Sequence, residues 1–394
     1  MVIYPRKILN SIKKQINSKE IIVLTGIRRS GKTTLYRMLF NSLKTDNKVF
    51  LDMENPIEQK IFEETDYNNI LFNLSELGIN PKNKMYIFLD EIQAMPSAIK
   101  AIKYLYDHYN IKFFLTGSSS FYLKNLFPES LSGRKFVFEI FPLDFEEFLI
   151  FKNQVHKFAK TFTQKDKQKN LIAYEKTKKL YEEYMQYGGF PSVVLSATNE
   201  QKKLRLNDIF KSYFEKDVKM LADFRQINAF RDLILLLMQR VGSKIEISKL
   251  SVEIGVSRET VYSFLSFLEA TYFAYFMRPF SKNVDKEVSG SRKVYLCDNG
   301  FINNFAKISS GALFENSVFL NLKKYGKLNY YEKRSRGKID FILNNKIAFE
   351  IKTKGASFDI KKLKKIAGSI GIKQCYLLTK EFDKKDNFIP AVEV

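Results

Sequence analysis

Within the 394-residue chain, Gly26-Ile27-Arg28-Arg29-Ser30-Gly31-Lys32-Thr33-Thr34 has the types and spacing to hold a polyphosphate. The pattern is G-x-x-x-x-G-K-T, set between an apolar run and a stretch of helical spacing over 34–43. Gly26 and Gly31 let the backbone curl so that successive N–H groups face phosphate oxygens, and the positive end of the following helix adds to that field. Lys32 is expected to reach the β- and γ-phosphates, and the Thr33 hydroxyl to ligate Mg²⁺. A second apolar run, Tyr86-Ile87-Phe88-Leu89, delivers Asp90 and Glu91. Asp90 is expected to hold Mg²⁺ through water and Glu91 to polarise the attacking water. The run Phe113-Phe114-Leu115 ends in Thr116, Gly117 and Ser118. Neighbouring parallel strands end together, so Thr116 or Ser118 is expected near the γ-phosphate or the attacking water. A hydroxyl-rich turn is the plain alternative. ATP and Mg²⁺ are the implied cofactors.

A second group lies near the other end of the sequence. Residues 338–343 alternate like a strand, Asn344-Asn345 is a tight turn, and 347–352 form the returning strand. Asp340 and Glu350 then sit on adjacent antiparallel strands, and Glu350 and Lys352 share a face. Two carboxylates and a lysine on one patch suit metal binding by Asp340 and Glu350, with water activated beside a phosphodiester. Any amphipathic hairpin can also place charges this way. Arg334, Arg336 and Lys338 suit phosphate contacts, or form a solvated charge run.

These groups need elements to carry them. Strands expected at 21–25, 49–52, 85–90, 112–116 and 137–140 alternate with helical material, which means a parallel α/β sheet. Residues 152–180, rich in Lys and Gln, read as an exposed connector or solvated helix. Residues 247–270 have a helix–turn–helix layout, with Gly255 at the turn and Ser257 capping the second helix. There Ser257, Arg258, Glu259, Thr260 and Tyr262 are expected to face a DNA groove, and Val256, Val261, Leu265 and Leu268 the core. Many such units make only protein contacts.

The formal charge is +22, from 65 basic and 43 acidic residues. Such an excess attracts polyanions, nucleic acid first and an anionic membrane second, or else reflects a lysine-rich composition. Two cysteines and two distant histidines exclude a disulfide framework and a four-thiolate zinc site. The N-terminus lacks the apolar core of a signal peptide, and no apolar run approaches membrane-spanning length, so a cytoplasmic location is expected.

The sequence resembles the bacterial and archaeal AAA-type ATPases that carry a C-terminal nuclease-like domain of unknown function. The matching stretches are 26–34, Phe-Leu-Asp-Glu-Ile-Gln (88–93), Leu-Thr-Gly-Ser-Ser-Ser (115–120) and Leu-Ser-Gly-Arg (131–134). Further matches are Phe-Pro-Leu-Asp-Phe-Glu-Glu-Phe-Leu (141–149), Tyr-Gly-Gly-Phe-Pro (187–191) and Val-Tyr-Leu-Cys-Asp-Asn-Gly-Phe (294–301). The resemblance implies an AAA core over 1–151, a helical connector or lid over 152–240, a winged helix over 241–290 and a nuclease-like α/β domain over 291–394. It makes Arg134 the candidate arginine finger, acting in trans within a homo-oligomer, with an exposed structural arginine as the alternative. Asp340, Glu350 and Lys352 resemble the D…E-x-K arrangement of the PD-(D/E)xK nucleases. That superfamily often adds a fourth group from the preceding helix, which implicates Glu315. The implied function is Mg²⁺-dependent ATP hydrolysis coupled to DNA binding or processing. The alternative is an ATP-driven regulatory switch whose winged helix and inactive nuclease-like domain bind a protein partner, or DNA without cleavage.

Overall fold

The computed structural model describes residues 4–117, 133–218, 224–333 and 337–394. The chain forms two compact units, Met1–Phe141 with Ala270–Tyr272, and Pro142–Glu269 with Phe273–Val394.

The first unit is built on strands β1 (Ile21–Thr25), β2 (Lys48–Asp52), β3 (Met85–Asp90), β4 (Ile111–Gly117) and β5 (Lys135–Glu139). All pair in parallel in the order β2-β3-β4-β1-β5. Apolar runs are expected when both faces of a parallel sheet are covered, and period two divides them here. Ile21, Val23, Ile87 and Leu115 enter one core, while Ile22, Leu24, Phe88 and Phe114 enter the other. Phe88 and Phe114 stack with centroids 4.1 Å apart. Tyr36, on the helix Lys32–Ser42, donates to the carbonyls of Ile22 (2.8 Å) and Leu115 (2.7 Å), fixing that helix to the sheet. The edge strand β5 begins two residues before the stretch expected from sequence and is only partly buried.

The second unit contains the helices Phe224–Gln239, Ile247–Ile254 and Arg258–Ala270 up to Glu269. They are followed by an antiparallel pair, β6 (Ala274–Met277) and β7 (Lys293–Leu296), which spans the boundary expected at 290. A second sheet has the order β12-β11-β10-β9-β8, from β8 (Leu328–Lys333), β9 (Gly337–Leu343), β10 (Ile347–Lys352), β11 (Gln374–Thr379) and β12 (Phe388–Pro390). β8, β9 and β10 are antiparallel neighbours, whereas β10, β11 and β12 run parallel. The helix Ser310–Leu322 precedes the sheet, and Ser357–Ser369 crosses from β10 to β11.

The stretch read as an exposed connector or solvated helix, 152–180, is mostly exposed, with Phe162, Lys165, Tyr174 and Thr177 buried. The helix Leu171–Tyr187 begins in it and runs on into the stretch read as helical, where Tyr181 and Tyr184 are buried too. Tyrosines supply much of the buried area of that helix. The Gly188-Gly189 pair that follows is a tight crossing point. A Cβ on Gly188 would lie 1.8 Å from Asp298 Oδ1, and one on Gly189 2.2 Å from the Leu143 carbonyl oxygen. Asp298 accepts the Gly189 N–H (2.6 Å) and the Gly300 N–H (2.8 Å), and Leu143 N–H donates to the Gly189 carbonyl (2.8 Å). Three short stretches distant in sequence thus form one buried knot. Among the described residues, no helix is long and apolar enough to cross a membrane.

Candidate functional site

The phosphate-type loop leaves β1 and enters the helix Lys32–Ser42. Gly26 has φ 144°, and a Cβ there would lie 2.0 Å from the Ile140 carbonyl oxygen, so only glycine fits. Arg29 (φ 65°) and Gly31 (φ 99°) take left-handed conformations, the kind of backbone from which anion-binding N–H concavities are built. Ile27 and Ser30 are buried, Arg28 is half-buried, and Arg29 and Thr34 are exposed. The buried Lys32 ammonium donates to the carbonyls of Gly26 (2.8 Å) and Ile27 (3.1 Å), which keeps it within the loop.

The ends of β3 and β4 meet beside this loop. The Asp90 carboxylate accepts the hydroxyl of Thr116, and the Thr33 side chain lies near enough to act on it. The Thr116 hydroxyl in turn accepts the Glu91 N–H at 2.9 Å. Asp90, Thr116 and Glu91 are therefore linked hand to hand, with Thr33 beside Asp90. Burial pushes the Asp90 carboxyl above its usual range, and the two hydroxyls pull it back. A hydroxyl and a buried carboxylate side by side are hard oxygen donors of the kind Mg²⁺ takes. Glu91 stands in the left-handed region (φ 52°), with its carboxylate bonded by the Gln93 amide. Ser118 lies outside the described residues.

Arg6 was not singled out from the sequence. Its guanidinium donates to the Ser30 carbonyl and the Phe141 carbonyl, each at 2.9 Å. In a planar trans peptide the carbonyl and the next N–H point opposite ways, so a held Ser30 oxygen also sets the direction of the Gly31 N–H. The only sequence signal was an arginine shortly before an apolar strand.

Arg134 sits elsewhere. It immediately precedes β5, and its carbonyl accepts the N–H of Ile21, the first residue of β1. The loop follows the last residue of β1, a strand length of roughly 17 Å away. Arg134 is therefore no part of its own chain's loop site, and it pairs with Asp107 at 3.0 Å.

In the second unit the β9–β10 register, with Phe349 opposite Phe341, carries Asp340 opposite Glu350. Both are buried. Asp340 accepts the Ile351 N–H (2.9 Å) and lies 3.7 Å from the exposed Lys338 ammonium. The Lys352 ammonium is 3.1 Å from Glu350 Oε1, while Glu350 Oε2 is buried with no hydrogen-bond partner among the described residues. Burial raises the Glu350 carboxyl, Lys352 opposes this, and nearby Asp340 adds to it. Glu315, on the helix Ser310–Leu322, is likewise raised by burial and by Asp340. Its Oε1 accepts the Tyr295 hydroxyl at 2.7 Å. The carboxylates thus feel one another, but among the described residues no three His, Cys, Asp or Glu side chains are gathered to hold a metal ion. Arg334 and Arg336 lie outside the described residues.

Comparison with known proteins adds independent findings. Residues 18–149 match a family described as an AAA domain, and residues 178–312 match a domain family of unknown function. The uncharacterized protein MJ1544 of Methanocaldococcus jannaschii is 31% identical over 350 residues, covering 86% of this chain and 75% of that protein. An uncharacterized protein of Haemophilus influenzae is 29% identical over 366 residues, covering 87% and 86%. Among solved structures, the Walker-type ATPase paby2304 of Pyrococcus abyssi is similar at a TM-score of 0.49 and 15% identity, covering 77% of this chain and 96% of that one.

Proposed function

Because the chain belongs to the family of the uncharacterized M. jannaschii protein MJ1544 and carries an AAA-type P-loop ATPase domain, we propose that it hydrolyses ATP with Mg²⁺ and couples the cycle to DNA. The observation that carries the reading is the linked set Asp90, Thr116 and Glu91 beside the glycine loop that ends in Lys32 and Thr33. Loop N–H groups bind the phosphates, and Lys32 shifts from the loop carbonyls to the phosphate oxygens. Thr33 and Asp90 would hold Mg²⁺, which neutralises phosphate charge when bound. Thr116 holds the Glu91 backbone, so that the Glu91 carboxylate can take a proton from the attacking water.

Lys32→Ala should abolish ATP binding. Glu91→Gln should retain binding and lower turnover by about a hundredfold or more, a loss expected for a positioned general base. Equal turnover by wild type and Glu91→Gln in a phosphate-release assay would refute the assignment.

For the second unit, the order helix, three antiparallel strands, helix, parallel strand supports the nuclease-like reading, with Asp340, Glu350, Lys352 and Glu315 as its site. The partnerless buried Glu350 oxygen suits a cation ligand shared with Asp340. DNA cleavage that needs Mg²⁺ and disappears in Asp340→Ala is the expected result. Intact plasmid, linear and branched DNA after incubation with Mg²⁺ and ATP would leave the domain as a binding scaffold.

One observation favours the alternative for the helix–turn–helix, read as a winged helix with β6–β7 as its wing. Its exposed residues include Glu246, Glu253 and Glu259 against Lys249 and Arg258, together with Val252 and Tyr262. A nearly neutral face with exposed apolar groups suits a protein partner better than a phosphate backbone.

A further inference from the structure

Beside the carboxylates of the second unit lies a helix with a face of one charge sign. The helix Ser357–Ser369 turns Ile360, Leu363, Ile366 and Ala367 into the sheet core. Its other side exposes Phe358, Lys361, Lys362, Lys364 and Lys365. Positions 358, 361, 362 and 365 fall on one stripe by helical spacing. Phe358 is 72% exposed and makes no ring contact among the described residues. Asp359 is the only acid between residues 353 and 373, a stretch holding six lysines. It is already engaged by the Lys352 ammonium (3.4 Å) and the Ala356 N–H (2.9 Å). The stripe lysines have no ion-pair or hydrogen-bond partner among the described residues. Lys352 also touches Glu350, so the first turn of this helix adjoins the carboxylate patch and the stripe leads away from it.

We propose that this face is a binding rail for single-stranded DNA, with Lys361, Lys362 and Lys365 on phosphates and Phe358 stacked on an unpaired base. From Phe358 to Lys365 the stripe runs about 10 Å, room for about two or three phosphates. An exposed ring offers a stacking platform to any unpaired base, whereas the bases of a duplex have no free face. A membrane surface fits less well, because the helix spends its apolar side in the core and has only Phe358 to insert. The inference rests on the DNA reading above and assigns it a surface.

The test is fluorescence anisotropy of the full chain with a labelled single strand, a duplex of the same sequence and phosphatidylserine vesicles, over a salt series. Three variants are compared: wild type, the triple charge reversal Lys361→Glu/Lys362→Glu/Lys365→Glu, and Phe358→Ala. The triple variant should bind the strand at least about tenfold more weakly, with its salt slope reduced by about two. Phe358→Ala should lose about fivefold or more with the slope unchanged, as expected for a lost stack. ATP turnover without DNA should be the same in all three, showing that the chain still folds. If wild type binds the strand and the triple variant matches it, the rail is overturned while the DNA reading stands. Equal duplex and single-strand affinity with no effect of Phe358→Ala overturns the single-strand assignment. Failure of wild type to bind DNA at low salt sinks the DNA reading and the rail with it, and lysine-dependent vesicle binding would then assign the face to membrane.

Discussion

Arg6 shows how a residue outside a motif can govern it. Its two bonds tie the tip of the glycine loop to Phe141, the last residue of that stretch of the first unit. Arg6→Ala should raise the KM for ATP by about tenfold or more, since a charged hydrogen bond contributes about 1.5–3 kcal/mol. Arg6→Lys should recover part of it, while the melting temperature of Arg6→Ala falls by several degrees. Equal KM values for Arg6→Ala and wild type would refute the positioning role. The loop itself was legible because its work is done by adjacent residues: Gly26, Gly31, Lys32 and Thr33 advertise it together. Arg6 was not legible because it acts on two backbone carbonyls 24 and 135 residues away, and carbonyls leave no mark in a sequence. Arg134 was legible as a residue type only; its place at the far end of β5 needed the sheet order.

At the scale of elements, apolar runs revealed the parallel strands, because covering both faces of a sheet leaves no room for polar alternation. The buried tyrosine face of the helix Leu171–Tyr187 was hidden among its exposed lysines, and the lysine face of Ser357–Ser369 was lost in a charge spread along the whole chain. The knot at Asp298 joins Gly189 and Gly300 through one buried carboxyl. Burial pushes that carboxyl up to about 7, against the pull of the N–H donors of Gly189, Gly300 and Phe301. Its folded pKa lies above that of the unfolded chain, so the folded state holds the proton more tightly. Stability from this group is present at acid pH and is lost as pH rises from about 4 to about 7, by a few kcal/mol at most. Asp298→Asn should flatten that part of the pH dependence of the melting temperature, at a fixed cost of about 1–3 kcal/mol for the weakened acceptor. The same slope in both proteins would show that Asp298 is ionised throughout.

At the scale of the whole molecule, a candidate finger that misses its own site is a statement about assembly. If Arg134 serves a neighbour, Lys32→Ala and Arg134→Ala should each be inactive alone, and mixing them should restore part of the ATPase rate. Subunits pairing one variant's intact loop with the other's intact arginine would do the work. No recovery on mixing, with Arg134→Ala fully active alone, would leave Arg134 as the partner of Asp107.

The knot also dictates where the protein tolerates a cut. Leu143, Gly189 and Asp298 lie far apart along the chain, yet each closes on another. A fragment starting after Gly189 would leave the Asp298 carboxyl in an apolar interior with a donor missing and no crossing strand to seal it. The last two hundred residues are therefore not a portable cassette, however separate their chemistry looks. A fragment that starts at Pro142 keeps all three crossings, and limited proteolysis should spare Gly188-Gly189 long after exposed loops have been nicked.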